Sequence, residues 1–400
     1  MKILIVSDSY PAFDRSSYEL RFSRLVQILA QTHQVTLCPL DVPYMTQELG
    51  EAAVELYRQN LIDQGVKVAD TGLVPALKSD SFDTVIFILF VTATPKNIAA
   101  VRHWAPAARL VIDSVDVQFG RYQSKARLTQ DQRDFDHAEH VKQEELAAYR
   151  EADFILVVSE PERQLLIPEL PYKRIGIIPN IHPMGDFTPT EARDGKSLLF
   201  VGWGAYGPNV DAVLYFAREV LPLVLKVIPQ VCLKVVGGDY PEEVVNLNGG
   251  AIEILGRVPE MKPYLVKAYI SIAPLRYGSG VKGKIGEALS FGLPVVTTSI
   301  GLEGFGLTPG KDVLIGNTPQ DLANHIISLL RDPLLHSRIG SAGRQFLEKN
   351  FSEAVVKNLI IEQFSALEAA SRPWPTLLWR RLKSFVRRQA ETHLLWRFRN

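Results

Sequence analysis

Arg276, Gly278, Gly280, Lys282 and Glu287 lie close together in RYGSGVKGKIGEALSFG, between an apolar run ending in ISIAP and a helical Glu-Ala-Leu. Glycines at 278 and 280 let the backbone come close to a bound group, and the free N–H groups of a helix start favour an anion. Arg276 and Lys282 add full positive charges beside those dipoles, a combination suited to phosphate or pyrophosphate. Glu287 follows about one and a half helical turns after Lys282, where a carboxylate can accept hydrogen bonds from sugar hydroxyls. A lone glycine pair would read as a solvated surface loop. Cations, glycines, helix start and carboxylate together point instead to a nucleoside diphosphate.

Other reactive side chains read more plainly. His137 and His140 in DHAEH stand at i, i+3 on a helix dense with Asp and Glu, and no third ligand accompanies them, so a charged, solvated surface is the reading. Ser159 in VVSEPER, with Glu162 three residues on, has the form of a capping box and lacks the GxSxG elbow of a serine nucleophile. The first loop, DSYPAFDRSSYELR, has none of the glycines of a dinucleotide fingerprint, which argues against a nicotinamide-dependent dehydrogenase. Its Asp14, Arg15 and Arg21 are candidates to face an acceptor or a diphosphate, with a solvated loop role as the alternative. Cys38 and Cys232 sit in apolar strand-like runs and read as small buried hydrophobes, which points towards a reducing compartment.

The elements that must position these groups alternate along the chain. A length of 400 residues, with 46% hydrophobic and 22% charged residues, describes a globular protein of two domains. Short runs rich in Val, Ile and Leu alternate with amphipathic stretches, the pattern of an α/β fold in which helices cover parallel sheets. Strands are expected at 2–6, 34–37, 84–90, 110–112, 154–158 and 175–178, then at 197–202, 231–236, 251–255, 270–273, 294–297 and 313–315. Helices are expected at 18–30, 130–151, 322–330 and 351–367. The polar segment 182–196, with Pro183, Gly185, Pro189, Asp194 and Gly195, breaks periodicity and reads as a linker and hinge. It divides a domain at 1–181 from one at 197–370, two doubly wound units presenting strand-end loops to a cleft. The apolar run at the amino end stops at Val6, too short for a signal-peptide core, and TVIFILFV is too short to cross a bilayer.

As a set, PLRYGSGVKGKIGEALSFGLPVVTTSIGLEGF, LLFVGWGAYGPNVDAVLYFAREVLP, ADFILVVSEPERQLL, IIPN and VIDSVDVQFGR resemble glycosyltransferase family 4, retaining enzymes of the GT-B fold, over residues 1–367. The resemblance implies two Rossmann-like domains, an NDP-sugar donor held by the C-terminal one, an acceptor held mainly by the N-terminal one, and no cofactor or required metal. Glu287 matches the second glutamate of the family's Glu-x7-Glu motif, which holds the donor ribose. The first would fall at Ser279, so recognition of the transferred sugar is expected to differ. The usual arginine and lysine after the first strand of the C-terminal domain map onto Trp203 and Asn209, leaving Arg276 and Lys282 as the cations on the diphosphate. Val258, in GRVPE, lies where the family places its base pocket. Asp116 and Arg121 stand where relatives line the N-terminal side of the cleft, and Gln118 occupies a place where histidine is expected.

Charge is unevenly placed. Residues 371–400 carry eight basic residues against Glu391 alone, a charge of +7 that leaves −7 on the rest of a chain with zero net charge. Trp374, Trp379 and Trp396 with interleaved arginines suit the surface of an anionic membrane; the alternative is a helix packed back on the N-terminal domain. The expectation is therefore a cytoplasmic glycosyltransferase, peripheral on the inner face of the cytoplasmic membrane, acting on a glycan or lipid-linked acceptor, with no nucleic-acid partner. Two rivals remain: an NDP-sugar-binding subunit without activity, and a GT-B sugar-nucleotide epimerase.

Overall fold

The computed structural model describes residues 1–369, so the expectations for 371–400 lie outside the described residues. The chain forms two compact units. The first holds a seven-stranded parallel sheet of β1 (Lys2–Ser7), β2 (Gln34–Pro39), β3 (Lys67–Val68), β4 (Thr84–Ile88), β5 (Arg109–Asp113), β6 (Phe154–Val157) and β7 (Arg174–Ile177), in the order β3-β2-β1-β4-β5-β6-β7. The second holds six parallel strands, β8 (Ser197–Val201), β9 (Cys232–Val236), β10 (Ile252–Gly256), β11 (Ile270–Ala273), β12 (Val295–Thr297) and β13 (Leu314–Ile315), in the order β10-β9-β8-β11-β12-β13. Both are doubly wound sheets of the GT-B type. All twelve expected strands are present.

The central strands are continuous apolar runs because helices cover both faces of a parallel sheet. Ile3, Leu4, Ile5 and Val6 are fully buried, as are Val85, Ile86, Phe87 and Ile88 beside them. The helix Ser17–Ala30 starts where Ser16 accepts a hydrogen bond from the Glu19 N–H at 3.2 Å, and it buries Phe22, Leu25, Val26 and Leu29. In the second unit, Thr318 caps the helix Pro319–Arg331, whose Leu322, Ala323, Ile326 and Leu329 enter the core. Residues 117–139 cluster with the second unit, and 357–369 cluster with the first.

Several expectations are corrected. β3 has only two residues at the sheet edge, too short to leave a periodic signal. The strand expected to reach residue 90 ends at Ile88, because Leu89 turns to φ 65° and a short 3₁₀ turn follows at Phe90–Thr92. The helix expected at 351–367 runs from Glu353 to Ala369; Phe351 instead closes a preceding helix, Pro333–Phe351, that no expectation covered, and Ser352 between them is extended (ψ 156°). Cys232 is only partly buried, with Sγ 3.3 Å from Glu253 Oε1.

Candidate functional site

Open parallel sheets bind ligands at the carboxyl ends of their strands, where the strand order reverses. In the second unit that point lies between β8 and β11. The segments leaving these strands carry Trp203 and Asn209 on one side and Arg276 to Lys282 on the other.

After β11 the chain turns through Gly278 at φ 151° and Gly280 at φ 66°, conformations that side chains resist. The Gly278 N–H donates to Ser124 Oγ at 3.3 Å. The helix Gly283–Ser290 then begins with Lys282 at its cap position, which makes no side-chain cap hydrogen bond. Neighbouring strand ends pack closely enough that a Cβ on Gly237, at φ 140°, would lie 1.7 Å from the Gly202 carbonyl oxygen.

The two cations chosen from spacing already have partners. Arg276 is half exposed; its Nε donates to Asp211 Oδ2 at 2.9 Å, its Nη2 bonds Asp211 Oδ1, and its guanidinium lies 4.8 Å from the Tyr215 ring centre. Lys282 is buried, donating to the Gly280 carbonyl at 2.7 Å and standing 3.5 Å from Glu303 Oε2. It fastens the loop to itself. Lys284, which spacing did not single out, points inward: its Nζ is 2.5 Å from Asn209 Oδ1 and 4.2 Å from the Phe200 ring centre. Desolvation, with Lys282 second, lowers its pKa to about 7. Glu287 is partly buried on the same helix, and desolvation raises its carboxyl to about 6. The only signal for Lys284 in the sequence was its place in the first turn of that helix, because its neighbours come from β8 and the helix Gly207–Tyr215.

Trp203 is 58% exposed, yet its indole N–H is fixed on Asp239 Oδ2 at 2.6 Å. Asp239, at φ 63°, also meets Arg257 Nη2 at 3.3 Å. Val258 follows Arg257, partly buried in the turn after β10. Loops from three adjacent strands thereby hold an aromatic face in place.

In the first unit Arg21 is no ligand. It is fully buried, its Nη1 and Nη2 donate to the Asp113 carboxylate at 2.7 and 3.0 Å, and its Nε donates to the Ile178 carbonyl at 3.1 Å. Arg15 is exposed in the loop after β1, and Asp14 beside it accepts from the Tyr57 hydroxyl at 2.8 Å. Glu19 accepts from the Ala12 N–H at 2.9 Å, and burial pushes its carboxyl to about 7. Asp116 follows Val115, a β-branched residue at φ 60°, and its N–H donates to the Ser114 carbonyl at 2.6 Å. Positive φ at Leu89 and Val115, on adjacent strand ends, is the backbone strain that tends to gather at functional edges. Arg121 falls in the segment that clusters with the second unit, where its guanidinium lies 5.4 Å from the Tyr206 ring centre. Among the described residues no group of three or more His, Cys, Asp or Glu side chains is placed to hold a metal ion. Ser159 is the cap expected, facing the Glu162 N–H at 3.5 Å while the Glu162 carboxylate accepts from the Val158 N–H at 3.0 Å.

Residues 195–332 match the family described as glycosyl transferases group 1, a segment containing β8 through β13 and the whole glycine loop. A protein encoded in the cps region of Klebsiella pneumoniae, described as an uncharacterized 44.6 kDa protein, is 26% identical over 176 residues, 42% of this chain and 45% of that one. The match thus spans less than half of the curated relative. Among solved structures, sucrose-phosphate synthase from Thermosynechococcus elongatus has 17% identity and a TM-score of 0.67, over 93% of this chain and 100% of that one. Anabaena HepE in complex with UDP-glucose has 15% identity and a TM-score of 0.63, over 92% and 100%. A variant of S. aureus TarM in complex with UDP has 16% identity and a TM-score of 0.59, over 73% and 58%. At such identities the likeness speaks for the fold.

Proposed function

From the premise that this chain carries a group 1 glycosyltransferase domain in a GT-B fold, we propose that it is a retaining glycosyltransferase that moves a sugar from an NDP-sugar to a hydroxyl of a glycan or lipid-linked acceptor. The observation that carries the reading is the glycine loop and uncapped helix start at the β8/β11 switch point, inside the matched segment. UDP is the favoured nucleotide, since the neighbours HepE and TarM were solved with UDP or UDP-glucose. A role in polysaccharide or envelope glycan synthesis draws support from the relative in a cps region.

The chemistry follows from where charge develops. As the donor's glycosidic bond stretches, negative charge gathers on the departing diphosphate and the sugar gains oxocarbenium character. The loop N–H groups and nearby lysines oppose that charge, while the acceptor hydroxyl attacks from the face the diphosphate leaves. Glu287 receives the ribose hydroxyls, Val258 borders the base, and Asp116, Arg121 and Arg15 serve the acceptor side. No metal is needed where cations and dipoles supply this stabilisation, so turnover should survive chelation by EDTA.

The test is calorimetric titration of UDP, GDP and ADP into the wild type and Glu287→Ala, followed by donor turnover with and without candidate acceptors. One nucleotide should bind, and weaken roughly tenfold in the variant. Ser279, standing where relatives carry a carboxylate, favours a second reading as a non-catalytic NDP-sugar-binding subunit. Donor binding without turnover on any acceptor would select it, and donor consumption without acceptor would select an epimerase. We further propose that the basic segment 371–400 meets an anionic membrane, so its removal should abolish co-sedimentation with anionic liposomes. Equal binding with and without it would refute the membrane role. Among the described residues no helix is long and apolar enough to span a membrane.

A further inference from the structure

Both cations that spacing assigned to the diphosphate are engaged within the protein, Arg276 by Asp211 and Lys282 by Gly280 and Glu303. Lys284 differs from them. It lies in the first turn of the uncapped helix Gly283–Ser290, and its amine meets only the amide oxygen of Asn209 and the face of Phe200. Among the described residues no carboxylate lies within ion-pair distance of it. The charged groups around it are distributed as follows: Lys282 stands at the cap of its own helix, Glu287 lies one turn further on, Asp211 on the helix carrying Asn209 is taken by Arg276, and β8 presents the uncharged Phe200.

We propose that Lys284 is the cation that meets the donor diphosphate, and that donor binding is coupled to uptake of a proton from solvent by its amine. This inference rests on the functional reading above. A partly buried ammonium whose contacts are an amide oxygen and a ring, beside a second ammonium, is poorly compensated, so part of the population sheds its proton. A diphosphate at the helix start supplies the missing counter-charge and favours the protonated amine. The pKa of about 7 without ligand agrees with that geometry. The proton adds to Nζ and comes from buffer, and no other bond changes. Asn209 is a positioning residue that holds the amine towards the switch point.

The experiment is calorimetry of UDP binding to the full chain at about pH 8, in buffers of different ionisation enthalpy, for the wild type, Lys284→Met and Lys284→Arg. At that pH the phosphates of UDP are already ionised, so proton uptake reports on the protein. Wild type should take up a substantial fraction of a proton. Lys284→Met should bind UDP roughly ten- to a hundredfold more weakly with uptake lost, and Lys284→Arg should recover affinity without uptake, because arginine stays charged. Unchanged affinity and proton count in Lys284→Met would overturn the inference while leaving the function standing. No binding of UDP, GDP or ADP by the wild type would overturn both.

Discussion

Glu287 shows how a single residue can be placed against its own stability. Burial without a compensating partner raises its carboxyl from the usual 4.5 to about 6. A carboxyl whose folded pKa is raised costs nothing at low pH, and the cost grows as pH rises through 4.5 and is complete above 6. Glu287→Gln should therefore make the ligand-free protein more stable at neutral pH by about 1 kcal/mol, measured by denaturant titration. The same substitution should weaken nucleotide binding and remove the decline in affinity expected as pH falls below about 6. A neutral effect on both stability and binding would mean that the carboxylate does no more than fill space. Lys284 follows the same logic with opposite charge, since both are ionisable groups kept in poor solvation at the place where a ligand would supply what water no longer does.

The helix Gly283–Ser290 can hold these groups only because of what lies behind it. Gly286 faces the His182 ring so closely that an added Cβ would sit 2.3 Å from Cε1 and Nε2. His182 is itself buried, and its N–H donates to the Phe351 carbonyl at 3.0 Å. Neither side can yield without moving the helix, so Gly286→Ala should destabilise the protein by about 2–3 kcal/mol and weaken UDP binding with it. Thermal unfolding checks the first effect and calorimetry the second. A variant of wild-type stability would show that the linker residue relaxes freely. Gly340 plays a similar part on the other side, where a Cβ would lie 2.2 Å from the Gly292 carbonyl oxygen, so both the helix and the turn after it are set by backbone contact.

At the scale of the whole molecule, two buried histidines set the response to acid. His182 and His336 are both lowered from 6.5 to about 4, chiefly by desolvation. Below 6.5 the unfolded chain takes up protons that the folded chain refuses, so stability is full above 6.5 and is lost progressively towards about 4. Glu19 and Glu287, raised to about 7 and about 6, act in the opposite direction over the same window, so the histidine contribution is read from a variant: His336→Gln should lose less stability towards acid than the wild type, while costing stability at neutral pH through its lost bonds to Thr190 and the Tyr269 carbonyl at 2.9 and 2.7 Å. An acid dependence unchanged in His336→Gln would contradict the assignment.

The sequence alone determined what depends on neighbours along the chain. Parallel strands buried on both faces must be runs of Val, Ile and Leu, so β1, β4 and the other longer strands were legible. The glycine loop before Glu287 was legible for the same reason, because turn, helix start and charge lie within one stretch of chain. Partners brought together from afar were not. Arg21 reads as a free cation until Asp113, 92 residues away, is found against it. Arg276 and Lys282 looked available for a phosphate until Asp211 and Glu303 were seen to hold them. Lys284 carried no signal of its own until Phe200 and Asn209 were found against its amine. Charge and spacing are written locally, but whether a charge is solvated, paired or waiting for a ligand depends on which distant groups surround it, and only the tertiary structure decides that.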